Sequence, residues 1–129
     1  MGATVVKRNF FSATVAHPGG AVTLAALKRI AGWGFVPDAN NVPTSQKSAD
    51  SFMSNAATII PTSDVYVGHD EFVRDAAAAG PPVLYRGSLA TGGQPYTLPS
   101  TPNRSIVDDN AVYIYSAAGQ DIEVITQGI

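Results

Sequence analysis

The last nineteen residues, AVYIYSAAGQDIEVITQGI (111–129), hold two alternating apolar runs on either side of Ala117-Ala118-Gly119-Gln120. Val112 and Ile114 face one way with Tyr113 and Tyr115 opposite, and Ile122 and Val124 alternate with Glu123 and Ile125. A period of two is the mark of a strand with one buried face. The spacing predicts a closing β-hairpin with Ala-Ala-Gly-Gln as its turn.

The same period recurs upstream. In ATVVKRNFFSATVA (3–16), Phe11, Ala13 and Val15 alternate with Phe10, Ser12 and Thr14, which predicts a long strand within an N-terminal arm, residues 1–20. His17-Pro18-Gly19-Gly20 ends it, because proline donates nothing to a ladder and paired glycine favours a turn. One segment has a different period. In VTLAALKRIAGWG (22–34), Thr23 is placed to cap a helix over residues 23–31, Leu24, Leu27 and Ile30 form its stripe, and Lys28 and Arg29 suit the negative end of its dipole. So short a helix is marginal alone and needs a partner surface, with Trp33 plugging the junction.

Residues 36–55 read as a long surface loop, with Pro37, Pro43 and many small polar residues. Short strands follow at Thr58–Ile60 and Val65–Val67, broken at Pro61 and Gly68. RDAAAAG (74–80) has room for one helical turn before Gly80-Pro81-Pro82 stops it, and residues 83–107 are short apolar pieces between Gly and Pro punctuation. Many short strands between turn signals, with one helix, predict a mainly β single domain over residues 1–129, a β-sandwich or small barrel with one short α-helix near the N-terminus.

The 129 residues suit one domain. Charged residues are only 14% of the chain, so Ala, Ser, Thr, Gly, Asn and Gln cover much of the surface, and the repulsion that discourages protein association is weak. A net charge of -2 with scattered Lys and Arg gives no phosphate-tracking stripe, so nucleic acid is not an expected partner. There is no cysteine, and so no thiolate nucleophile or cysteine metal site. The start MGATVVKRNFF has no secretory pattern, Val6 stands where a myristoylation motif wants Ser or Thr, and no run is long enough to span a bilayer. A soluble protein without a membrane partner is expected.

Chemistry is sparse. His69-Asp70-Glu71 is the densest group of metal-capable side chains, but three consecutive strand residues point to opposite faces, and a solvated turn is the plainer reading. Gly87-Ser88-Leu89 lacks the nucleophile elbow, and neither His17 nor His69 sits in a hydrolase setting. Asp108 and Asp109 before Asn110 read as a strand-entry turn, not a glycosidase pair. GGQPYTLP (92–99) has no Lys-Ser and no helix behind it to bind phosphate. We therefore expect no enzyme, no catalytic residue, no metal and no cofactor. Tyr66, Tyr85, Tyr96, Tyr113 and Tyr115 would stack on sugars if several shared one exposed face; cross-strand packing is the alternative.

Three stretches in order, DVYVGHDEFV (64–73), GPPVLYRGSLATGGQPYTLP (80–99) and NAVYIYSAAGQDIEVITQG (110–128), resemble the small virion proteins of tailed bacteriophages, over residues 56–127, about half the chain. The resemblance implies a capsid decoration or cement protein, assembled in the bacterial host cytoplasm and located on the capsid exterior of the virion. Its partner would be the major capsid protein lattice, and it would form a homo-oligomer. The alternative is a receptor- or carbohydrate-binding module of a tail or fibre. No catalytic residue carries over, since such proteins act through surfaces. The expected attachment surface is the chain from Val5 to Phe11, including Val6 and Phe10, with the loop from Val42 to Phe52 and Met53. Packing of Phe52 and Met53 as core is the competing reading for those two.

Overall fold

The computed structural model describes residues 10–33, 35–37, 43–46, 52–69, 73, 87–101 and 106–128. Alternating apolar residues produce strands β1 (Phe11–His17), β2 (Gly20–Thr23), β5 (Met53–Pro61), β6 (Val65–Gly68), β10 (Tyr113–Ser116) and β11 (Gln120–Gly128). Shorter strands are β3 (Phe35–Pro37), β4 (Pro43–Gln46), β7 (Ser88–Ala90), β8 (Tyr96–Thr97) and β9 (Val107–Asp108). One sheet has the order β1-β11-β5-β8, with β9 also on β5; the second has β2-β10-β6-β7; β3 and β4 pair separately. All pairings are antiparallel. The two main sheets pack as a small β-sandwich. Phe11, Val15, Ala57, Ile59, Ile122 and Val124 of one meet Val65, Val67, Ala90 and Ile114 of the other in a single core.

The expected closing hairpin is not one. β10 pairs with β2 and β6, while β11 pairs with β1 and β5, so the two runs lie in different sheets. Their buried rows, Ile114 and then Ile122 with Val124, belong to the two opposed layers of the core. Alternation reveals which face of a strand is buried but not which strand lies beside it. Residues 117–119 are therefore an arch between layers. Segments 18–19, 62–64 and 91–95 make the same crossing, and the registers His17 to Gln120, Pro61 to Ile122 and Val65 to Ala90 bring all these arches to one end of the sandwich.

Helix α1 (Leu24–Ile30) starts at the opposite end, where Leu24 and Ala25 donate backbone bonds to the Val112 and Asp109 carbonyls. Thr23 caps it as expected, its Oγ accepting from Ala26 N–H at 3.1 Å. Leu24 and Leu27 are buried, but Ile30 is exposed and Lys28 is buried in its stead. Two further expectations need correction. The stretch 36–55 is not one loop, since it contains most of the β3–β4 pair and the start of β5. His17 is not in a turn: it ends β1 with its side chain buried. Residues 3–9 of the expected N-terminal strand and the turn at 74–80 lie outside the described residues.

Candidate docking surfaces

At the arch end, His17 is held at both ring nitrogens. Nε2 lies 2.9 Å from the Ile114 carbonyl, and Nδ1 accepts from the Gly19 N–H at 2.9 Å. This pair of contacts requires the neutral ring with its proton on Nε2. Burial pushes the His17 pKa below its ordinary value, only partly opposed by the bond to Ile114. Gln120 ties a second arch down, its Oε1 accepting from the Thr62 and Ser63 N–H groups at 2.9 and 3.0 Å. Asp64 ties a third, accepting from Gly92 N–H at 2.8 Å. Between them lies a half-open cleft of about 140 Å³ beside Ser63, Asp64, Ser116 and Gly119. Its Asp64, Ser116 and Gln120 side chains are engaged in holding the arches together, so the cleft is scaffold first.

At the helix end, Lys28 Nζ donates to Asp109 Oδ2 at 2.6 Å, and Ser54 Oγ donates to Asp109 Oδ1 at 2.9 Å. The ammonium sits 5.1 Å from the Trp33 ring centre, 5.7 Å from Phe11 and 5.9 Å from Phe52. Aromatic faces offer a cation part of what water would have supplied. Burial pushes the Asp109 carboxyl above its ordinary range, only partly opposed by Lys28 and Ser54. A sequence signal for Lys28 exists, because it is four residues after Leu24 on the apolar stripe. Asp109 has none: Asp108-Asp109-Asn110 has the pattern of a turn, and that pattern fits Asp108, whose carboxylate accepts from Asn110 N–H.

The outer face of the second sheet carries a different set of side chains, and buried Val73 packs over the part of it beside Gly87 and Tyr66. Register places Ala21, Tyr115, Tyr66 and Leu89 in one row across β2, β10, β6 and β7. Tyr113 lies in the next row, between Thr23 and Gly68. Alternation with buried Ile114, Val65 and Val67 turns these residues outward; the tyrosines are half-buried and Leu89 is 49% exposed. Of the tyrosines considered from sequence, Tyr66, Tyr113 and Tyr115 thus share a face, Tyr96 packs toward the core from the other sheet, and Tyr85 is outside the described residues.

The residues expected to form the attachment surface scatter. Phe11 and Phe52 are buried, Phe11 edge-on to Trp33 and Phe52 under Arg29, whose guanidinium carbon is 4.2 Å from its ring centre. Neither ring is available to a partner. Met53 is half-buried on β5, Phe10 is 45% exposed, and Val5, Val6 and Val42 lie outside the described residues.

Among the described residues, no group of His, Asp and Glu is arranged to hold a metal ion, and no helix is long and apolar enough to cross a membrane. Comparison with protein-family models, with characterised proteins and with solved structures gives no significant match.

Proposed function

We propose that the chain is a structural protein of a tailed-bacteriophage virion that attaches to the assembled capsid shell, with the major capsid protein lattice as its partner. The observation that carries the reading is the row Ala21, Tyr115, Tyr66 and Leu89 on the outer face of the second sheet. Protein interfaces are enriched in tyrosine and depleted in lysine and acids at their centres, and this row is uncharged and set on a rigid sheet. The low overall charge of 14% supports the same reading, as does the resemblance in chain order described above. Repetition over a lattice turns a weak single contact into firm attachment.

The same tyrosines favour a second reading, in which their rings stack on sugars as a glycan-binding module of a tail or fibre. Co-sedimentation with empty capsids of the encoding phage, alongside a panel of immobilised host glycans, separates the two. The shell reading expects saturable capsid binding that Tyr115→Glu with Leu89→Glu weakens at least tenfold while the circular dichroism spectrum is unchanged. Glycan binding lost in that variant, without capsid binding, replaces the first reading by the second. Capsid binding that the double variant leaves intact removes the sheet face from the proposal.

A further inference from the structure

We propose that β1 pairs with β1 of a second copy of this chain, antiparallel about a twofold axis at Thr14, joining the two β1-containing sheets into one continuous sheet. The starting point is hydrogen-bonding capacity. β1 is bonded to β11 along its whole length without a register shift, and among the described residues no strand lies on its other side. That side carries a row of N–H and C=O groups, the template for another strand.

Among the described residues, the other edges of the two main sheets are short or interrupted and β1 is neither, although helix α1 packs near its Phe11 end. β8 is two residues long with Pro95 before it and Pro99 shortly after, β7 is three residues long, and β2 starts at Gly20, which has φ 83°, and runs straight into the helix. β1 spans seven residues, FSATVAH, with no proline, no bulge and no charged side chain. Charge, proline, brevity and bulges are the usual means of keeping edges apart. Their absence from the longest edge alone is what calls for a partner strand.

The strand's own pattern selects a second copy as that partner. With Thr14 opposite Thr14, Phe11 meets His17, Ser12 meets Ala16 and Ala13 meets Val15. Every pair then joins residues of the same face, core side to core side and outward to outward, and all of β1 is used. A slip by one residue would set buried Phe11 and Val15 against the outward row. The outward row is Ser12, Thr14 and Ala16, small enough to lie side by side, and cross-strand Thr pairs are favourable. The nearest acid in the central row is Glu123, opposite Thr14 on β11. Its counterpart would be three strand spacings off, about 14 Å. That exceeds the screening length of about 8 Å in physiological salt. The contact is isologous and closes at two.

This inference is independent of shell attachment, and its test is solution mass. Light scattering of the full chain should give twice 13.4 kDa at micromolar concentration, and Thr14→Lys, which sets two ammonium groups face to face on an exposed site, should give the monomer with an unchanged circular dichroism spectrum. The chain has no cysteine, so Thr14→Cys introduces a single thiol that meets its own copy at the axis and should cross-link on mild oxidation. Ser12→Cys, whose thiols would lie about 14 Å apart along the strand, should not. A monomeric parent, a Thr14→Lys variant that stays dimeric, or cross-linking as efficient at Ser12 as at Thr14 overturns the proposal. None of these outcomes bears on whether capsids are bound.

Discussion

The Lys28 ammonium and the Asp109 carboxylate meet at 2.6 Å, with both side chains almost wholly removed from solvent. Residues 81 apart in sequence thereby lock the helix to the strand-entry turn before β10. The pair is worth little relative to two apolar residues of the same shape, but breaking it leaves a buried charge alone.

Lys28→Met should therefore cost about 3–5 kcal/mol in urea unfolding, and adding Asp109→Asn should restore part of that. The variant also has a pH signature. Asp109 keeps its burial and loses the opposing influence of Lys28, so its folded pKa moves further above the unfolded value of 3.8. A raised folded value means stability present below the unfolded pKa and lost as pH rises through the folded one. The deficit of Lys28→Met against the parent should therefore be smallest in acid and grow toward neutrality. A deficit independent of pH would show that Asp109 is not the group left uncompensated.

His17 gives the opposite slope. Its folded pKa lies below the unfolded value of 6.5 because burial disfavours the imidazolium. A depressed folded value means stability fully present above the unfolded pKa and lost as pH falls toward the folded one. Protonation also puts a hydrogen on Nδ1, against the Gly19 N–H it accepts from. His17→Gln should cost about 1–3 kcal/mol near neutrality, through weakened or lost bonds to Ile114 and Gly19. The gap between parent and variant should narrow as the pH is taken from about 7.5 to about 5. Equal slopes in the two proteins would rule out His17 as the source.

How much of this was legible in the sequence depended on whether the deciding information was local. The helix was, because Thr23 and the Leu24–Leu27 spacing act within one turn and a half. Strand faces were too: Phe11 and Val15 in, Ser12 and Thr14 out. Pairing was not, and the run 111–129 shows why. A hairpin and an arch need the same alternation, and what separates them is the Gln120 side chain reaching residues 62 and 63, more than fifty positions away. Lysine's habit of lying at the surface likewise masked Lys28. The outward tyrosines were visible as a pattern, but that Tyr115 stands opposite Tyr66 follows only from register.

The arches make a prediction of their own. A Cβ at Gly92 would lie 2.7 Å from the Thr62 carbonyl oxygen and 2.8 Å from the Ser63 Cα, both backbone atoms that cannot swing aside. Gly92→Ala should cost about 1–3 kcal/mol. Gln120→Ala strips the acceptor from Thr62 and Ser63, whose N–H groups are near solvent and can turn to water, so about 1 kcal/mol is expected. Thermal unfolding that ranks Gln120→Ala as the more damaging would contradict this account of what holds that end closed.

A last substitution should improve the protein. Thr126 lies on β11 between Phe11 of β1 and Ala57 of β5. It is fully buried, and its hydroxyl has no hydrogen-bond partner among the described residues. An unpaired buried hydroxyl costs about 1–3 kcal/mol in lost hydration. Valine keeps the branched shape, removes the polar atom and favours an extended backbone slightly more, so both effects have one sign. Thr126→Val should raise unfolding free energy by about 1 kcal/mol, with the denaturant slope unchanged because the same surface is exposed on unfolding. A loss of stability in Thr126→Val, measured by urea unfolding at neutral pH, would mean that the hydroxyl is hydrogen-bonded in the folded protein.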